Sequence, residues 1–123
     1  MNVVDWFEIP VKDMARAKTF YQKVFGKQAS DMNMNMPGME YAAFPMEQNA
    51  PMASGALLKS KAAKPSKDSI TIYFYCDDLA VELARVALAG GKVVFPKTGI
   101  GDAGFMGQII DTEGNRIGLH SMK

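Results

Sequence analysis

Residues 6–27 read WFEIPVKDMARAKTFYQKVFGK, and residues 71–92 read TIYFYCDDLAVELARVALAGGK. Shifted by 65 residues, the two segments align: Asp13-Met14 falls on Asp78-Leu79, and Gly26-Lys27 falls on Gly91-Lys92. The identities are few, but they stand where structural elements begin and end. Each segment opens with an apolar, β-branched and aromatic run, residues 3–9 and 70–76, as a strand does. An aspartate follows, Asp13 or Asp78, whose carboxylate can accept a free amide of a helix's first turn. Apolar residues then recur at helical spacing. They are Ala17, Phe20, Tyr21, Val24 and Phe25 in the first segment, and Leu79, Leu83, Val86, Ala87 and Gly90 in the second. Gly26 and the Gly90-Gly91 pair supply the left-handed backbone that stops each helix.

Working outward, shorter extended pieces follow each helix. They are expected at about 28–35, 39–46 and 54–59, with a turn at Pro37-Gly38, and at about 92–95, 103–111 and 115–121, with a tight turn over Asp111–Asn115. Residues 59–68, KSKAAKPSKD, are polar and aperiodic and form the expected linker. The order is βαβββ, linker, βαβββ, which defines a single α+β domain over 1–123. Repeat one covers about 1–60 and repeat two about 68–123. A helix covers one face of each strand set and leaves the other face free to wall a cleft.

Composition bounds what such a domain can do. Hydrophobic residues make up 48% and charged residues 22% of the 123, an ordinary globular profile. Fourteen basic and 13 acidic residues give a net charge of +1, so no strong field draws in nucleic acid or an anionic membrane. Asp5 and Glu8 come too early for a signal peptide, and no apolar run reaches the length of a membrane span. Cys76 is the sole cysteine and cannot form an internal disulfide; a cytoplasmic location is expected.

Three stretches in order, IPVKDMARAKTFYQKVFG, YCDDLAVELARVALAGGKVV and DTEGNRIGLHS, resemble the vicinal oxygen chelate superfamily of glyoxalases, bleomycin-resistance proteins and extradiol dioxygenases. The resemblance covers almost the whole chain. It implies paired modules around a U-shaped cleft, commonly in a homodimer, and a small-molecule ligand or substrate. In metal-dependent members a His or Gln on the first strand of a module and a Glu on its last strand hold the ion. Carried over by register, those positions are Trp6 and Thr71 on the first strands, and about Gly55 and Gly118 on the last. None offers an imidazole or carboxylate, so no metal and no other cofactor is expected.

Strand alternation supplies the candidate site. If Trp6 faces the cleft, so do Glu8 and Pro10, while Phe7, Ile9 and Val11 pack under the helix. In the second repeat Thr71, Tyr73 and Tyr75 face the cleft, and Ile70, Ile72, Phe74 and Cys76 pack inward. On the last strand Arg116, Gly118 and His120 share the cleft face. Glu8, which interrupts an apolar strand, is the candidate general base or hydrogen-bond acceptor, and His120 its candidate acid–base partner. Trp6, Thr71, Tyr73, Tyr75 and Arg116 are candidate ligand-binding residues, the aromatics by stacking and Arg116 by gripping an anionic group. Glu8 and Tyr73 are expected to be partly buried in the cleft of a two-fold homodimer. Met32, Met34 and Met36 would place three thioethers on one face of a strand, either a soft metal surface or an adaptable apolar one.

The expected function is binding of a small organic molecule in an aromatic cleft without the family's usual metal. The alternative is an enzyme of lyase, isomerase or dioxygenase type, related to lactoylglutathione lyase or to the dioxygenases, using Glu8 and His120. Sequestration of a cationic drug such as bleomycin would call for an acidic groove, and the charge here is balanced.

Overall fold

The computed structural model describes residues 2–123. Its first module runs β1 (Trp6–Pro10), α1 (Met14–Phe25), β2 (Ser30–Asp31), β3 (Glu40–Ala43) and β4 (Ser54–Lys59). Its second runs β5 (Ile72–Tyr75), α2 (Leu79–Leu83), β6 (Lys92–Gly99), β7 (Phe105–Ile110) and β8 (Arg116–Ser121), with one short 3-10 turn at Gly101–Ala103. The sheets are ordered β1-β4-β3-β2 and β5-β8-β7-β6. In each, the first strand lies parallel to the last and the last lies antiparallel to its predecessor. The tandem βαβββ plan is therefore the fold.

The expected caps set the helix starts. Asp13 accepts the Arg16 amide at 3.0 Å, and Asp78 accepts the Ala80 amide at 3.0 Å. Gly26 ends α1 at φ 67, where an L side chain would be strained. The apolar stripe of α1 buries Ala17, Phe20, Tyr21 and Val24 completely.

A single core joins the modules. It holds Ile9, Val11 and Leu57 from the first sheet together with Ile109, Ile117 and Leu119 from the second. Phe74 of β5 enters the aromatic group of the first module, with its ring 4.5 Å from Phe25, 5.8 Å from Tyr21 and 6.0 Å from Phe7. Burying side chains of this size contributes roughly 1.5–3 kcal/mol each. The turn Asp111–Asn115 adds a polar clasp. Asp111 accepts the Tyr21 hydroxyl at 2.7 Å, Glu113 accepts the Lys12 and Asp13 amides at 2.7 and 2.8 Å, and Asn115 donates to the Pro10 carbonyl at 2.7 Å. Burial first, then Asp111, raises the Tyr21 hydroxyl well above the ordinary phenol range, so it stays a donor.

Several expectations are corrected. The second helix stops at Leu83, because bonding shifts from the fourth to the third preceding residue at Arg85 and Val86, a tighter winding. Val86 remains buried, but Ala87 is exposed. Ile70 lies ahead of β5 and is 86% exposed rather than packed inward. The methionine strand does not form: β2 ends at Asp31, Asn35 adopts φ 56, and Met32, Met34 and Met36 stand exposed in a loop. With no strand there is no common thioether face. Gly55 does not face the cleft either. It pairs with Phe7, and a Cβ there would lie 2.5 Å from the Phe7 ring, on the helix side. The cleft-face positions of β4 are Ser54, opposite Trp6, and Ala56, opposite Glu8.

Candidate ligand-binding faces

The helix-side faces of both sheets are spent on the shared core, so each sheet turns its other face outward. On the first sheet that face carries Trp6, Glu8, Tyr41, Ala43, Ala56 and Leu58, a small apolar cluster of its own apart from the carboxylate. The Trp6 indole donates to the Tyr41 hydroxyl at 2.8 Å, and Tyr41 donates to Glu8 Oε2 at 2.7 Å. Burial, then the bond to Glu8, raises the Tyr41 hydroxyl above its usual range, so the phenol keeps its proton. Glu8 is thus an exposed carboxylate held in place from beneath by a neutral donor chain.

On the second sheet Tyr73 accepts from Gln108 at 2.8 Å, leaving its own hydrogen for another acceptor. Arg116 donates to Gln108 at 2.9 Å and to the Lys67 carbonyl at 3.0 Å, so its guanidinium braces Gln108 and the linker. His120 stands beside Tyr75, their ring centroids 6.3 Å apart. Its Nε2 lies 2.6 Å from the Ala103 carbonyl, which can only accept; that nitrogen therefore carries a hydrogen and Nδ1 is left for other chemistry.

The sequence-derived candidates consequently fall into two sets. Trp6 and Glu8 lie on one outer face, joined by Tyr41; Tyr73, Tyr75, Arg116 and His120 lie on the other, where Gln108 joins Tyr73 to Arg116 and His120 stands beside Tyr75. No hydrogen bond links Glu8 to His120 among the described residues. Thr71, Tyr73 and Tyr75 line a cavity of about 700 Å³ with Ser54, Phe7 and Met52, where the edge of the second sheet meets the first module. In this single chain Glu8 is exposed and Tyr73 is 45% exposed, more open than expected.

The family's divalent ion does not fit these residues. The four carried-over strand positions are Trp6, Thr71, Gly118 and, after correction of the register, Ser54 or Ala56, none with an imidazole or carboxylate. A Cβ at Gly118 would lie 2.3 Å from the Tyr73 ring, so a carboxylate there requires Tyr73 to leave. No group of three or more His, Cys, Asp or Glu side chains is placed to hold a metal among the described residues. Cys76 offers no substitute. It is buried, and burial, then Glu82, pushes its thiol up to about 12.

These observations define a class: a paired βαβββ domain whose two sheets share one core and turn their other faces outward. A family model of the Glyoxalase/Bleomycin resistance protein/Dioxygenase superfamily matches residues 3–119, and the chain belongs to that superfamily. The CFP32 proteins of Mycobacterium bovis and Mycobacterium tuberculosis, provisionally named glyoxylases, are 30% identical to it over 115 residues. The match covers 94% of this chain and 44% of each of them, so the chain spans less than half the length of these curated relatives. Glyoxalase I of Zea mays superposes with TM-score 0.75 at 17% identity, over 95% of this chain and 45% of the maize chain. Glyoxalase I of Leishmania major superposes with TM-score 0.74 at 15% identity, over 99% and 88% of the two chains. At such identities the likeness is one of fold.

Proposed function

We propose that this domain binds a small organic molecule against its aromatic sheet faces without using the superfamily's divalent ion. The observation that carries this reading is the cavity of about 700 Å³ in which Thr71, Tyr73 and Tyr75 meet Ser54. Its size lies within the roughly 300–1,000 Å³ of small-molecule pockets, and its walls are mostly apolar with a few hydroxyls to orient a guest. The neutral apolar fluorophore 1-aminoanthracene is the test probe. It is expected to bind, to be unaffected by EDTA, and to lose about tenfold in affinity, ~1.4 kcal/mol, in the cavity-filling variant Thr71→Trp. Equal binding by wild type and variant, or release of the probe by EDTA, would contradict the reading.

A second reading, a metal-free enzyme, is favoured by the Trp6–Tyr41–Glu8 chain, since a base must be positioned before it can act. It predicts a turnover that Glu8→Gln abolishes while probe binding survives.

A two-fold homodimer completes the proposal, each cleft drawing on one face from each chain. Its support is the apolar surface a single chain leaves open, including Val3, Val4, Tyr73, Tyr75 and Phe95. Light scattering at micromolar concentration is expected to give twice the mass of one chain; a monomer would remove this part. Among the described residues no helix is long and apolar enough to cross a membrane. With the sole cysteine unpaired, the reading places the protein in the cytoplasm.

A further inference from the structure

We propose a second binding site, for small polyanions, in the groove between the end of β4, the β1–α1 connection and the linker. It encloses about 800 Å³ and shares no lining residue with the aromatic cavity. Lys12, Lys59, Lys61 and Lys64 surround it, against the single carboxylate of Glu40. Glu40 is matched to Lys59 alone, with Nζ and Oε2 3.4 Å apart across the β3–β4 pair. Among the described residues no carboxylate lies within ion-pair distance of Lys12, Lys61 or Lys64. A chain with a net charge of only +1 thus concentrates four of its 14 basic residues around one hollow.

The backbone beneath these lysines is fixed. Lys12 donates its amide to buried Glu113 at 2.7 Å, and Lys59 is the last residue of β4. Lys61 lies inside, and Lys64 just beyond, the Ser60–Ala63 bridge, closed by Ala62 donating to Ser60 Oγ at 3.1 Å. Lysines from two separate stretches, Lys12 and Lys59–Lys64, therefore line the groove. A concave surface lined by one sign of charge focuses its field and raises the local concentration of counter-charge. Lysine ammoniums act on phosphate or carboxylate as point charges, without demanding a bidentate plane. The ligand class that matches is a small molecule with two or more adjacent phosphate or carboxylate groups. Val11, Ala63 and Pro65 give the groove an apolar floor suited to a short carbon skeleton.

The test is titration calorimetry of the whole chain at about 20 mM salt, where screening is weak, with inorganic pyrophosphate and, separately, citrate. One saturable site per chain is expected for at least one of them; pyrophosphate alone assigns phosphate chemistry, citrate alone carboxylate chemistry. The double variant Lys61→Glu/Lys64→Glu is expected to lose at least about tenfold in affinity. Lys23→Glu/Lys92→Glu, which changes net charge equally at exposed positions outside the groove, is expected to bind as wild type does. Circular dichroism checks that both variants are folded. The proposal fails if neither probe saturates by about 1 mM, if the groove variant binds like wild type, or if the control loses affinity equally. Binding of 1-aminoanthracene is independent of every one of these outcomes.

Discussion

Replacing Glu113 with alanine is expected to lower stability by about 3 kcal/mol, near the lower end of what breaking a buried, hydrogen-bonded charge costs. The Glu113 side chain is fully buried, while that of Arg16 is 49% exposed. The carboxylate accepts the Lys12 and Asp13 amides, the Arg16 guanidinium at 2.7 and 3.0 Å and the Thr112 hydroxyl at 2.9 Å. Truncation strands two amides at the entrance to α1, whereas loss of the half-exposed Arg16 pair costs little. A urea midpoint unchanged within error would refute this account of the clasp. The same group sets an acid limit. Burial by itself would raise its pKa, but the bonds from Arg16, Asp13, Thr112 and Lys12 outweigh that and hold it at about 2, below the ordinary 4.5. A depressed folded-state pKa means that the unfolded chain binds the proton more readily. This contribution is therefore complete above about pH 4.5 and is lost as pH falls toward 2. Acid unfolding in that window should flatten in Glu113→Gln, which has no carboxyl to titrate.

Gly55→Ala is expected to cost about 3 kcal/mol, the upper end for overpacking. A Cβ at this position would meet the Phe7 carbonyl oxygen at 2.4 Å and its ring at 2.5 Å. The oxygen belongs to backbone in the parallel β1–β4 pair, so a rotamer change cannot relieve the contact. Gly26→Ala is the matched comparison. Nothing lies within 4 Å of its added Cβ, and its cost is only that of forcing φ 67 on an L residue, about 1 kcal/mol. Thermal melts of the two variants should differ clearly. Equal shifts would mean that β1 can slide away from β4 at little cost.

The repeat was legible because its markers are local. Asp13, Asp78 and Gly26 act within a few residues of themselves, and alternation along β1 assigns Trp6 and Glu8 to one face and Phe7 and Ile9 to the other. Gly55 was misplaced because SGALLK carries no punctuation comparable to DTEGN, and a one-residue slip exchanges the faces. Tyr41 was not found for a different reason. It pairs with Leu58 while Glu8 pairs with Ala56, so the hydroxyl reaches Glu8 over an intervening strand. Gln108 joins Tyr73 to Arg116 in the same cross-strand manner. The turn at Asp111–Asn115 was visible as a turn, but its buried acids find partners 90 or more residues away, beyond any local pattern. His120 was legible as a position and not as a chemistry, since the carbonyl that occupies its Nε2 comes from the Gly101–Ala103 turn.

The clasp also sets an order of events on the ribosome. The Lys12 and Asp13 amides are synthesised 101 and 100 residues before the carboxylate that receives them. At roughly 5–20 residues per second, that leaves them waiting about 5–20 s. Phe74 reaches its place among Phe7, Tyr21 and Phe25 earlier in translation, yet it too comes from the later half. The nascent first module therefore emerges with an open helix entrance and an unfilled aromatic core. Repetition in the chain does not make each repeat an independent folding unit, and a cut within residues 59–68 would yield two pieces that must find each other before either is complete.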